Sequence, residues 1–293
     1  MFDDANKYLE NDHPLCFIER DGNKMPIILL HGSGFSKEVF SRQFSSRQLK
    51  DHHLIAIDLP GHGNSPDASN PKLTYSYSGL AKAVLQQIKS QKIERCIVVG
   101  WSLGGQVALE MLDNVPEVAG VMAFGAPPAN GGPLGLIRAM VLSKDLLLAG
   151  KAKHTLADAI RFEKAALGEY AKGQFVDVIM RTDPKMRPLL SRSILLKTGC
   201  NQRELVENSA VPVCLLHGEC DPFVRAKYMQ SVAGGMLFGG ETVIFKNTAH
   251  APFLEKQKEF DLVLANFADS VEFGKAGVTP NLASRPEYYK RAS

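Results

Sequence analysis

The run Cys96-Ile97-Val98-Val99 leads directly into Gly100-Trp101-Ser102-Leu103-Gly104, and this junction constrains the fold more than any other stretch of the chain. Consecutive apolar, largely β-branched residues read as a buried strand. The residues from Leu103 onward read as an amphipathic helix. A serine held between such a strand and helix occupies a sharp, strained turn, and the glycines two positions to either side relieve the crowding that any Cβ would cause. The free amides and partial positive charge of the helix N-terminus then suit a developing negative charge beside Ser102.

The rest of the chain repeats this alternation. Apolar runs at 27–30, 54–58, 96–100, 118–124, 213–217 and 242–245, with a weaker one at 15–19, predict strands. Helical spacing at 78–89, 103–112 and 253–267 places helices between them, for example with Leu80, Ala81, Val84, Leu85 and Ile88 on one face. This is the pattern of an α/β protein, a mostly parallel central sheet flanked by helices. The alternation breaks after Pro127-Pro128, where 134–148, 155–167, 174–181 and 189–197 read as helices with no strand among them. The expected organisation is a core of 1–126 and 206–273, an inserted helical cap of 127–205, and a polar C-terminal tail of 274–293.

A serine hydroxyl needs a histidine base and a carboxylate to orient it, expected in the order serine, acid, histidine. Asp221 follows the strand at 213–217, and His250 follows the strand at 242–245. Both loops leave the carboxyl ends of strands, the edge of a parallel sheet that also carries Ser102. Glu219 is a rival acid two residues away, but the Asp221-Pro222-Phe223-Val224 run favours Asp221. Asp58, His31, His62, His217 and the pair His52-His53 are read as structural. The amides of Ser33, in His31-Gly32-Ser33-Gly34-Phe35, and of Leu103 are the expected oxyanion donors. Substrate contacts are expected from Gly34, Trp101, Met140, Phe162 and Phe223. Further cap residues that could line an acyl pocket are Leu134, Ile137, Val141, Leu146, Phe175, Ile179 and Leu189.

Composition narrows the partners. With 45% hydrophobic and 22% charged residues the chain matches a soluble globular protein. A net charge of +3 falls far short of what nucleic-acid binding needs, so no nucleic-acid partner is expected. Five cysteines at irregular spacing, without a CxxC pair, read as reduced and mostly buried thiols. Neither a metal site nor a phosphate loop emerges, so no cofactor is expected. No window approaches the roughly 18 apolar residues of a membrane span, and the acidic start lacks an export signal. A cytoplasmic location is expected, and the oligomeric state is not read from the sequence.

The His31-Gly32 loop, the loop Asp58-Leu59-Pro60-Gly61-His62-Gly63, the Ser102 elbow and the Asp221 and His250 loops together resemble the α/β-hydrolase family over residues 15–270. A closer likeness is to the α/β-hydrolase-type N-acyl-homoserine lactone hydrolases, which open the lactone of quorum-sensing signals. It is carried by Gly100-Trp101-Ser102-Leu103-Gly104-Gly105, Gly125-Ala126-Pro127-Pro128, Arg181-Thr182-Asp183, Asn201-Gln202-Arg203-Glu204, Asp221-Pro222-Phe223-Val224 and Ala249-His250-Ala251-Pro252-Phe253. The resemblance implies an α/β-hydrolase fold and a serine hydrolase acting on a small ester or lactone through Ser102, Asp221 and His250. Ser33 stands where that pattern has asparagine, and Phe162 where it offers a tyrosine. The alternatives are a general carboxylesterase on short to medium acyl esters and a receptor-like, ligand-binding member of the same fold.

Overall fold

The computed structural model describes residues 14–129, 132–196 and 198–274. The expected tail therefore lies outside the described residues apart from Gly274, as does the acidic N-terminal stretch. Two strands, β1 (Phe17–Arg20) and β2 (Lys24–Leu30), open the chain, followed by the single turn α1 (Ser41–Phe44), β3 (His52–Ile57), the short α2 (Pro71–Thr74) and α3 (Tyr77–Ser90). Next come β4 (Cys96–Trp101), α4 (Leu103–Glu110) and β5 (Val118–Phe124). Six helices succeed β5: α5 (Pro133–Ala139), α6 (Lys144–Gly150), α7 (Leu156–Leu167), α8 (Val176–Arg181), α9 (Met186–Leu195) and α10 (Gln202–Glu207). The chain then re-enters the sheet through β6 (Val213–Gly218), α11 (Ala226–Gln230) and β7 (Val243–Phe245), and closes with α12 (Pro252–Glu255) and α13 (Gln257–Glu272).

Among the described residues the sheet has seven strands in the order β1-β3-β2-β4-β5-β6-β7. Of these, β1 runs antiparallel to β3 and the other pairs are parallel. Strands β4, β5 and β6 are buried at every position, as expected of strands covered on both faces. Because β2, β4, β6 and β7 run in parallel, the loops carrying Gly32, Ser102, Asp221 and His250 all leave the same edge.

Three expected helices differ from the observed ones for physical reasons. The helix expected over 134–148 is two. Ala139 and Met140 pair with the loop after β6, Val141 N donating to Phe223 O at 2.8 Å and Arg225 N to Ala139 O at 2.9 Å. Ser143 then caps α6 by accepting from Leu146 N. The helix expected over 253–267 breaks at Lys256, whose φ of −128° is not helical. Finally, α9 starts at Met186 in spite of Pro188, which sits in the first turn where no intrahelical amide is required.

The helix α10, absent from the sequence reading, explains the Asn201-Gln202-Arg203 run. Asn201 caps it. Gln202 Nε2 donates to Gln106 O at 3.1 Å and Glu110 Oε1 at 3.0 Å, tying α10 to the underside of α4. Arg203 bridges to Glu207 and Ser231 and lies over the Tyr228 ring. Of the cysteines, Cys96 and Cys214 are buried, but Cys220 is exposed, against the expectation of mostly buried thiols.

Candidate active site

Ser102 is the N-cap of α4, with φ 53° and ψ −113°. A non-glycine residue at such an angle is strained and persists only where its surroundings fix it. Here Ser102 N donates to Phe124 O at 2.9 Å, pinning the elbow to β5. Gly104 lets α4 press against the end of β2, since a Cβ there would collide with the Leu30 carbonyl. Leu103 is the first residue of α4, so its amide has no intrahelical acceptor.

His250 Nδ1 lies 2.7 Å from Asp221 Oδ2, both groups being buried. The other carboxylate oxygen of Asp221 accepts from Phe223 N at 2.8 Å and Val224 N at 3.0 Å. Burial alone would raise the Asp221 pKa, but His250, with His217 and the Phe223 amide, holds it below the usual carboxylate value. An ionised Asp221 is acceptor-only, so Nδ1 carries the hydrogen and Nε2 is left as the basic nitrogen. Gly125, at φ +57°, leaves room for the imidazole, because a Cβ there would sit 2.9 Å from His250 Cε1. Trp101 Nε1 donates to His250 O at 2.8 Å, and the Phe223 ring meets the imidazole edge-on at 4.8 Å between centroids.

Glu219 points elsewhere. It is exposed, paired with Lys246 Nζ at 2.8 Å, and its pKa is lowered chiefly by that hydrogen bond. Of the residues read as structural, Asp58 and His31 are held by hydrogen bonds, whereas the ring nitrogens of His52 and His217 are buried without any. Asp58 accepts from Lys37 N and Nζ, both at 2.7 Å, and from Asn64 N at 2.9 Å. His31 bonds Gly32 O through Nδ1 and accepts from Leu59 N at Nε2.

Ser102 stands on the shared wall of two pockets. The smaller, of about 60 Å³, is lined by His250, Trp101, Phe35, Phe162 and Phe223. The larger, of about 270 Å³, runs under α6 and α9 and takes in Leu103, Gln106, Leu147, Leu190 and Ile194. Ser33, Met140 and Leu146 border both. The Ser33 hydroxyl is buried without a hydrogen-bond partner. Thus Ser33, Leu103, Trp101, Met140, Phe162 and Phe223 line the pockets beside Ser102, whereas Gly34 lines neither and faces Arg187 and Ile179. Leu134 and Ile137 are exposed, and Phe175 and Ile179 are packed into the core. Phe35, Leu147, Leu190 and Ile194 were not singled out from the sequence, since nothing local distinguishes a pocket wall from a packed helix face.

Outside the pockets, Glu19, Asp21 and His53 offer ligand atoms within 4.8 Å of one another at the surface, with His53 Nε2 and Glu19 Oε1 2.6 Å apart. Among the described residues, no helix is long and apolar enough to cross a membrane.

The chain is similar to several known hydrolases. A mutant of the N-acyl homoserine lactonase AidH, solved with N-hexanoyl homoserine lactone, superposes with a TM-score of 0.86 at 31% identity, covering 90% of this chain and 96% of that one. The same lactonase with N-butanoyl homoserine gives 0.84 at 32% identity, covering 88% and 93%. The pimeloyl-[acyl-carrier protein] methyl ester esterase of Vibrio vulnificus (strain CMCP6) is 26% identical over 85% of this chain and 96% of its own length. The AB hydrolase superfamily protein YisY of Bacillus subtilis (strain 168) is 25% identical over 88% of this chain and 97% of its own. Residues 27–261, which contain the elbow and both partner loops, match the model of the Alpha/beta hydrolase family, and the chain belongs to that family.

Proposed function

We propose that this protein is a serine hydrolase that cleaves carboxylic ester or lactone bonds through an acyl-enzyme, with Ser102 as nucleophile, His250 as base and Asp221 as the acid that orients it. The observation that carries this reading is the 2.7 Å contact between His250 Nδ1 and Asp221 in a pocket whose wall includes the strained Ser102. His250 Nε2 takes the Ser102 proton as Oγ attacks the carbonyl carbon. The amides of Ser33 and Leu103 donate to the oxyanion, each such donor typically contributing about 2.7–4 kcal/mol of barrier lowering. His250 then protonates the leaving alkoxide. A water deprotonated by the same imidazole attacks the acyl-enzyme, releasing the acid and restoring Ser102. With a lactone the alcohol stays tethered, so the product is one ring-opened molecule.

The helical segment 127–205 acts as a cap in this reading, and 1–126 with 206–273 as the catalytic core. N-acyl-homoserine lactones are the preferred substrate class, which would make the protein a quorum-quenching enzyme. The similarity to a lactonase solved with such ligands supports this. The small aromatic pocket suits the lactone ring, and the larger, apolar one suits the acyl chain. A second reading, a general carboxylesterase on short to medium acyl esters, draws support from Phe162. Its ring brings no hydrogen-bonding group to a pocket wall where a polar substrate would need one.

Mass spectrometry of N-acyl-homoserine lactones of several chain lengths, incubated with wild type and Ser102→Ala, tests the proposal. Gain of one water over many turnovers, in wild type alone, is the expected result. Hydrolysis of p-nitrophenyl butyrate without any lactone opening would favour the carboxylesterase. Tight lactone binding with no turnover of either substrate would make the protein a receptor-like member.

A further inference from the structure

Arg187, in the first turn of α9, is 1% exposed, yet its Nε and Nη2 make no hydrogen bond. Among the described residues no carboxylate pairs with it. Burial pulls its pKa down to about 10, which leaves it charged at neutral pH. The charge bears on His62 and His154, each of which it disfavours protonating, and neither is an anion that could compensate it. A buried, unpaired cation is costly, and large costs of this kind are retained at sites that use them.

Its position says what would use it. Phe35 N donates to Gly32 O at 3.1 Å, closing a turn with Ser33 and Gly34 at its centre. Gly34 has φ +82°, and a Cβ on it would lie 2.8 Å from Arg187 Nη2. The guanidinium therefore backs directly onto the turn that presents the Ser33 amide. Other groups hold this part of the helical layer to the sheet. Arg181 Nη1 already donates to Gly61 O at 3.0 Å, Asp183 N to Gly61 O at 2.9 Å, and Tyr75 Oη to Asp183 Oδ2 at 2.5 Å.

We propose that Arg187 is a positioning residue for the hydrolysis, acting through the Gly32–Phe35 turn so that its unpaired charge is matched only when negative charge forms on the attacked carbonyl oxygen. This rests on the serine-hydrolase reading above. An interaction that strengthens from ground state to transition state raises kcat rather than lowering KM. It also favours a tetrahedral anionic adduct over a neutral ester.

The test compares Arg187→Met and Arg187→Lys on p-nitrophenyl butyrate, with butylboronic acid as the probe that forms a tetrahedral anion on a nucleophilic serine. Arg187→Met is expected to lower kcat about tenfold or more with KM within about twofold, and to weaken boronate inhibition by the same factor. Arg187→Lys, which keeps the charge, should recover most of both. Full kcat in a folded Arg187→Met, or a fall in kcat with unchanged boronate affinity, overturns the inference. If Arg187→Met does not fold, Arg187→Lys within about threefold of wild type on both readouts supports it, and a tenfold fall with intact boronate binding refutes it. A Ser102→Ala variant that retains turnover defeats the serine-hydrolase reading itself. Its inactivity beside an unimpaired Arg187→Met defeats only the role of Arg187.

Discussion

At the carboxyl edge of the sheet, the polar groups that set the geometry are held from several sides. Asp221 receives His250 and two backbone amides, Asp58 receives Lys37 and Asn64, and both ring nitrogens of His31 are engaged. The helices that cover that edge are built differently. They leave Leu134, Leu142 and Leu147 exposed, whereas buried polar atoms without partners occur in both regions, His154 Nδ1 and two Arg187 nitrogens here and Ser33 Oγ, His62 Nε2 and both His217 ring nitrogens at the edge. The difference is one of tolerance. A carboxylate fixed by three donors has one orientation, and losing one donor leaves a buried charge short of a partner. An apolar wall of Met140, Leu146 and Phe162 can exchange side chains of similar volume at modest cost. Chemistry is expected to reside in the first region and substrate choice in the second.

The largest effect should come from Ser102→Ala, which removes the proposed nucleophile from the rigid region and should cost at least about 10⁴-fold in kcat with an unchanged melting temperature. Activity near wild type would place the chemistry elsewhere. Next, Asp221→Asn should lower kcat about 10³- to 10⁴-fold, while Glu219→Gln stays within about twofold, because only the first faces His250 Nδ1. If steady-state kinetics find Glu219→Gln the slower, the acid belongs to the wrong carboxylate.

In the tolerant region, Phe162→Tyr should leave the fold and ester turnover nearly intact but raise the lactone-to-ester ratio of kcat/KM by about tenfold, through one added hydrogen-bonding group. A large loss on both substrates would mean that the covering layer is as strict as the sheet edge.

The last effect is on stability rather than on rate, and it depends on pH. His31, His62 and His217 are buried, and burial pulls each pKa below its ordinary value. The unfolded chain then binds protons near pH 6.5 that the folded chain refuses, so stability is lost as pH falls through that value. Each such histidine contributes up to about 1.4 kcal/mol per pH unit. Melting curves at pH 7.5 and 5.0 should show a lower midpoint at pH 5.0, and an equal or higher one would contradict this account. Asp221, whose pKa is depressed, loses its contribution only at more acidic pH and does not confound the window.

Most strands were legible in the sequence because a short apolar run carries its own period, and the elbow was legible because strand, glycines and helix lie within a few residues of Ser102. The helices between β5 and β6 were legible in number only roughly. The break after Ala139 depends on pairing with Phe223 and Arg225, more than eighty residues later, which no local period records. The choice between Asp221 and Glu219 leaned on a proline-containing turn. Its geometric basis is that Glu219 is drawn outward by Lys246 and Asn247.

By itself, the sequence determined the succession of the strands and the edge on which Ser102, Asp221 and His250 meet, since parallel strands deliver the loops at their carboxyl ends to one side. The tertiary structure alone decided the two pockets flanking Ser102, the retreat of Gly34 from the cavity wall and the burial of Arg187 behind it. These depend on which distant residues exclude water from one another, and burial turns an ordinary arginine into an unpaired charge only after the helices have closed over the sheet.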